Sequence, residues 1–274
     1  MTPAGRSVIL VATDRLEAVE SWVEAIRPEL CSDDELIITA RVDRIEPRSI
    51  PGATWISIPA ELEVPRARAI GFRSACCDRL VFAEDAALPC PGWLAGLSRH
   101  PAASGTIDLD PDLGVWSRSV GLFEFGDFRG RGPGRLAGVG FSVERALLES
   151  VIARVERTPE EIHEHEIDRD RISFAPEARM AFTLRRGAWE AIRERFLTGR
   201  SYGRERGRGR PTPLGLPAIP AIAAIQAMRV ARILRSHRRI GLLEWIASMI
   251  LVLAWSVGEG WGRVTAPRVS GRRS

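Results

Sequence analysis

The chain has no lysine. All 39 of its basic side chains are arginine, which we read as base-composition bias in the coding sequence rather than as chemistry. Cysteine is scarce: Cys31, Cys76, Cys77 and Cys90 form no C-x-x-C pair, and no histidine stands at zinc-finger spacing from them. That excludes a zinc module, and adjacent Cys76 and Cys77 would seldom bridge each other, so reduced, cytosol-facing thiols are expected. The N-terminal stretch "MTPAGRSVILVATDR" holds an apolar run of only five residues, too short for a signal-peptide core. The glycine-arginine stretches "RGRGPGR" and "GRERGRGR" lack interleaved aromatics beyond Tyr202. Single-strand base stacking is therefore unsupported, and no nucleic-acid partner is expected.

What is present is ordinary for a folded protein: 274 residues, 45% hydrophobic and 27% charged, enough for one large core or one domain with an appendage. The net charge of +4 conceals a division. Residues 1–184 hold 21 Arg against 30 Asp and Glu, whereas residues 185–274 hold 18 Arg against 5 acids. An acidic body with a basic tail points the tail toward an anionic partner.

The body alternates strand and helix patterns. "SVILVA" (7–12), "ELIITA" (35–40), "TWISIP" (54–59) and "RLVFA" (79–83) read as buried strands. Helices are expected over 15–30, closed by Pro28, and over 64–77, opened by Pro65. That alternation implies β-α-β units and a mostly parallel sheet, whose ligands bind beyond the strand C-termini. Thr13-Asp14, Arg41 to Asp43 and Glu84-Asp85 all fall at such ends. Further along, 114–128 has strand character, 129–140 is a glycine-rich loop, and 142–155 reads as a helix capped by Ser142 with Glu144 near a capping-box position. "RISFAP" (171–176) is a further strand.

A carboxylate pair leaving a strand suits a hard divalent cation that clamps a diphosphate, or is simply a solvated loop. "HEHE" (163–166) is not H-E-x-x-H, and residues two apart on an α-helix diverge by about 200°, so it is not expected to hold a metal. The apolar segment 240–257 carries only Glu244 among its charges, with Trp245 and Trp255 near its ends. Its length is at the lower limit for a bilayer span. Arginines stand on both sides of it, so a shallow or re-entrant helix is favoured over a span, with a core helix as the alternative.

In "VPRARAIGFRSACCDRLVFAEDAALPCPGWLAGL" (64–97) the order is an Arg-rich helix start, a glycine, an apolar strand, an acidic cluster, proline and Gly-Trp-Leu. This resembles the family-2 glycosyltransferases of the glycosyltransferase-A fold, with their A-R-N-x-G, F-L-D-D-D and P-x-W-L motifs. "SVILVATDR", "ELIITARVD" and "RLAGVGFSVERALLESV" resemble further family segments in the same order. The resemblance implies a glycosyltransferase-A-like, mostly parallel sheet flanked by helices over 1–185, followed by a basic, hydrophobic and membrane-associated helical tail over 186–274. It implies inverting transfer of a sugar from a nucleotide-diphosphate sugar to a lipid or glycan acceptor, at an anionic membrane surface on the cytoplasmic face of the plasma membrane. Thr13, Asp14, Asp43, Arg68, Glu84 and Asp85 would bind the donor, Glu84 and Asp85 holding a manganese or magnesium ion weakly or not at all. Glu160 or Glu161 would be the base.

The chain departs from that pattern. The second-strand acid pair falls on Ala40 and Arg41, the helix-start asparagine is Ala69, the third metal position is Ala86, and Phe182 stands where a histidine is expected. These losses keep open a second reading: a catalytically degenerate relative acting as a binding or scaffold module.

Overall fold

The computed structural model describes residues 5–13, 15–41, 50–59, 62–128, 135–154, 160–207, 217, 219–236 and 241–265. The β-branched runs form the expected parallel strands, β1 (Arg6–Ala12), β2 (Glu35–Arg41), β3 (Ala53–Ile58) and β4 (Arg79–Glu84). Between them lie α1 (Leu16–Ile26) and α2 (Val64–Ser74). Pro28 falls in a single 3-10 turn that ends the first helix early. α2 carries Pro65 in its first turn, where a missing N–H costs nothing.

β5 (Ala87–Pro89), α3 (Trp93–Leu97), β6 (Ala102–Leu109), α4 (Val115–Phe125), β7 (Gly140–Glu144), α5 (Arg145–Arg154) and β8 (Ser173–Phe182) follow. The eight strands form one mixed sheet in the order β3-β2-β1-β4-β7-β6-β8-β5. Its β3-β2-β1-β4 half is parallel, while β7 runs antiparallel to both β4 and β6, and β5 antiparallel to β8. A core beside the strands joins Ile9, Ile37, Phe72, Phe82, Phe141 and Leu147. The Phe82 and Phe141 rings stack at 5.0 Å between centroids.

Three local expectations change. Residues 114–128 are not a strand: α4 forms there, and it is buried on nearly every side, so no amphipathic period marks it. Ser142 is no helix cap but lies inside β7, its hydroxyl donating to the Leu97 carbonyl at 2.9 Å. Its helix, α5, begins three residues later. The helix expected over 64–77 stops at Ser74. β5 and β6 carry no strand signal in the sequence, because one is three residues long and ends in proline, and the other opens on Ala-Ala-Ser-Gly, without β-branched residues.

The chain forms two compact units, residues 1–108 with 127–184, and residues 109–126 with 185–274. The second consists of α4 with α6 (Ala188–Gly207), α7 (Ile219–Ser236) and α8 (Leu242–Val264). Leu122, Phe123, Val230, Ile233 and Val252 form its core. Gly199 and Gly203 of α6 lie on the backbones of Trp255 and Glu259, and Gly258 and Gly262 of α8 lie on those of Phe196 and Arg200. The matching order makes α6 and α8 parallel, and only glycine permits such close approach. Gly203→Val should therefore lower the unfolding midpoint of this unit by several degrees, since overpacking costs about 1–3 kcal/mol. Gly187→Ala, where the nearest atom is 3.9 Å away, should leave the calorimetric trace unchanged.

Candidate functional site

β1 and β4 are parallel neighbours with Val11 opposite Glu84, so the residues that follow each strand emerge side by side. Thr13 follows β1 and Asp85 follows β4. The Thr13 N–H donates to Asp85 Oδ2 at 2.9 Å, and its hydroxyl donates to Oδ1 at 2.8 Å. Asp85 is 2% exposed. A buried carboxylate of this kind is tolerated because hydrogen bonds replace its water.

Arg68 lies one turn into α2 and is also 2% exposed. Its Nη2 donates to Glu84 Oε1 at 2.6 Å and to the Gly138 carbonyl at 2.8 Å, and its Nη1 donates to Glu164 Oε2 at 2.7 Å. The guanidinium lies 5.5 Å from the centre of the Phe141 ring. A side chain at Gly138 would meet Arg68 Nη2 at 3.2 Å, so glycine there lets the loop close onto the cation. That loop is the tail of the glycine-rich stretch, and it is fixed where the Ala137 N–H donates to the Ser104 hydroxyl at 2.9 Å. Burial works against the charge on Arg68, but Glu164 and Glu84 outweigh it and raise its pKa. Burial likewise pushes the Glu164 carboxyl up, and Arg68 more than compensates, so it titrates below its ordinary value.

The first turns of α2 also hold the segment after residue 160. The Ile162 N–H donates to the Pro65 carbonyl at 2.9 Å, and Arg66 Nε donates to Glu161 Oε1 at 3.0 Å. Glu161 Oε2 lies 3.1 Å from His163 Nε2. His163 and Arg66 hold Glu161 below the usual carboxylate range against the opposing effect of burial. Glu160 is exposed in a turn. Of the expected site residues, Thr13, Arg68, Glu84 and Asp85 are thus joined at the strand ends, and Asp14 and Asp43 lie outside the described residues.

Glu164 was not anticipated. "HEHE" reads in sequence only as a metal motif, whereas its first glutamate is a partner of the buried arginine. The signal was Arg68 itself, an arginine on the inner face of a short helix that needs carboxylates. The expected divergence of His163 and His165 also fails: His163 is extended, a 3-10 turn begins at Glu164, and the two rings lie 5.1 Å apart. Among the described residues, no group of three or more His, Cys, Asp or Glu side chains could hold a metal.

Among the described residues, Glu84 and Asp85 offer a divalent cation a poor donor set. Both Asp85 oxygens accept from Thr13, Glu84 Oε1 accepts from a guanidinium, and the third position is buried Ala86. Hard cations want about six oxygens. With one guanidinium between Glu84 and Glu164, and Asp85 nearby, the cluster stays anionic. It is equipped to accept hydrogen bonds from hydroxyl or N–H groups rather than to bind phosphate directly.

A cavity of about 630 Å³ lies at the opposite ends of these strands, lined by Gly5, Arg6, Cys31, Asp34, Arg79 and Glu144 among others. Its charges are largely paired with one another, Arg6 with Asp34 at 2.5 Å and Arg79 with Glu144 at 2.9 Å. All four cysteines are free thiols.

No family profile matches the chain, and no curated protein matches it. Solved structures do. A mannosyltransferase from Pyrobaculum calidifontis, in complex with GDP-Man and Mn2+, is similar over 94% of this chain and 87% of its own, with 12% identity and a TM-score of 0.53. Glucosyl-3-phosphoglycerate synthase from Mycobacterium tuberculosis is similar over 72% and 78%, with 14% identity and a TM-score of 0.45. GalNAc-T7 is similar over 67% of this chain and 44% of its own, at 14% identity and a TM-score of 0.46. The chain has a glycosyltransferase-A-like fold.

Proposed function

We propose that this chain transfers a sugar from a nucleotide-diphosphate sugar to a lipid or glycan acceptor at a membrane surface, with inversion at the anomeric carbon. The observation that carries the reading is the Thr13-Asp85 and Arg68-Glu84-Glu164 cluster at the carboxyl ends of adjacent parallel strands, in a glycosyltransferase-A-like sheet. That is where open α/β sheets bind ligands. The Pyrobaculum protein, similar over 87% of its own chain, was solved with GDP-Man and Mn2+, which supports a nucleotide-sugar donor.

In this reading Asp85 and Glu84 receive hydroxyl or N–H groups of the donor's nucleoside and sugar. Arg68 holds Glu84 in place, and Thr13 holds Asp85. Asp14 and Asp43 contribute to the same nucleoside contacts. A carboxylate removes the acceptor hydroxyl's proton as its oxygen attacks the anomeric carbon, and the nucleoside diphosphate departs from the opposite face. Glu161 is already committed to Arg66 and His163, which makes exposed Glu160 the stronger choice of base.

The test is release of nucleoside diphosphate from a panel of nucleotide sugars, with and without manganese. Turnover of at least one donor is expected. Binding without turnover would favour the degenerate binding module, which the missing carboxylate at Ala86 supports, and neither binding nor turnover would contradict the transferase and leave only a scaffold role.

Manganese binding should be weak in the native chain. Ala86→Asp adds a carboxylate beside Glu84 and Asp85 and should tighten it by about 10-fold or more, the scale of losing an orienting group in a metal site. Unchanged binding by calorimetry would mean that no cation is held at this pair.

A further inference from the structure

α8 presents two unlike faces. Leu242, Ile246, Ile250, Leu253, Val257 and Trp261 recur every three or four residues and form one exposed stripe, Leu242 exposed by 74% and Leu253 by 56%. At 23 residues the helix is about 34 Å long, and no charged side chain interrupts its exposed face. An apolar patch of this extent marks an interaction surface.

The other face is buried and carries charge. Glu244 pairs with Arg118 at 3.2 Å and accepts the Gly241 N–H at 3.1 Å. Glu259, 1% exposed, accepts from Trp255 Nε1 at 3.1 Å and pairs with Arg206 at 3.1 Å and Arg263 at 2.5 Å. α8 is the one described helix long and apolar enough to cross a bilayer. A crossing would carry this charged face, and the arginine-bearing α6 locked to it through the paired glycines, to hydrocarbon depth. Each arginine there is costly.

The occupant of the stripe follows from charge. The second unit holds 19 Arg against 8 Asp and Glu, and Glu244 and Glu259 are already spent on arginines within it. A second copy would bring the same positive charge against the stripe. A nucleic acid would satisfy the arginines and leave the stripe in water. A lipid leaflet with anionic headgroups satisfies both, since the two contributions act together in interfacial helices.

We infer that α8 lies in the plane of an anionic membrane leaflet, its Leu242–Trp261 stripe sunk to the boundary of headgroups and acyl chains and its charged face turned into the protein. This deepens the membrane part of the proposed function and rests on that reading only for where the acceptor is found.

The full-length protein should float with vesicles of phosphatidylglycerol and phosphatidylcholine at low salt and remain with them at high salt, because the apolar contact is not screened. Leu253→Glu, at an exposed position, should lower retention at high salt by about 10-fold or more. Trypsin added outside should cleave the vesicle-bound native chain after Arg268, because both ends of an in-plane helix stay on one side. A protected C-terminus would mean a span and would overturn the inference. Absence of flotation, with a dimer that Leu253→Glu dissociates, would make the occupant a second copy and also overturn it. Retention indifferent to Leu253→Glu would overturn the role of the stripe. Nucleotide-sugar turnover on the same preparation separates the two readings: turnover without flotation defeats only this inference, and flotation without binding or turnover defeats only the transferase.

Discussion

Arg68→Met should destabilise the first unit by about 3 kcal/mol at neutral pH, a large share of a typical domain's 5–15 kcal/mol. Removing one partner of a buried ion pair costs about 3–5 kcal/mol, and the lower end applies because the Glu84 and Glu164 side chains are 18% and 31% exposed. Methionine fills much of the volume beside Phe141, so the loss is of charge rather than packing. Arg68→Lys should fall between, since one ammonium cannot span two carboxylates and the Gly138 carbonyl as the guanidinium does. The pH dependence gives a second readout. Glu164 titrates below its ordinary 4.5, so its contribution is full above that value and is lost as pH falls through the lowered folded-state pKa. In Arg68→Met the burial effect on Glu164 loses its strongest opponent, so its pKa rises, and protonation in acid relieves the variant while costing the native chain. The gap in unfolding midpoint between native and variant chains should therefore narrow as pH falls from neutral through the carboxylate range. An equal gap at all pH values, or none, would contradict the ionic assignment.

Glu160→Gln should cut turnover of any accepted donor by about 10²- to 10⁴-fold, the range for removing a general base, with donor affinity unchanged. Glu161→Gln should have a much smaller effect on turnover and should loosen the contact with Arg66 instead. Steady-state rates alongside donor binding by calorimetry separate the two. The reverse ranking would make Glu161 the base and require it to leave Arg66 and His163 during the reaction.

The parallel half of the sheet was legible because its strands are dense β-branched runs separated by helix-period segments. Glu84 and Asp85 were legible as strand-end acids for the same reason. α4 was not, because burial on almost every side erases the polar face that distinguishes a helix from a strand. β7 was absorbed into the helix that follows it, since the Ser142 that looks like a cap is instead a buried hydroxyl bonded to Leu97. Glu164 was missed because its role depends on a contact 96 residues away in sequence, which no local pattern carries. The weakness of the Glu84-Asp85 pair as a cation site was half visible in Ala86. The other half, the engagement of both carboxylates by Thr13 and Arg68, is a property of the folded chain alone.

Two ends of β1 and β4 compete as the ligand site: the carboxylate cluster at one and the cavity beside Arg6, Asp34 and Arg79 at the other. Hydrogen-deuterium exchange of the full-length protein with and without saturating nucleoside diphosphate and nucleotide sugar decides between them. The account predicts slowed exchange in the segments that contain Thr13, Glu84 and Asp85, with the segments around Asp34 and Arg79 unchanged. Protection confined to Asp34 and Arg79 would contradict the placement of the donor at the strand C-termini.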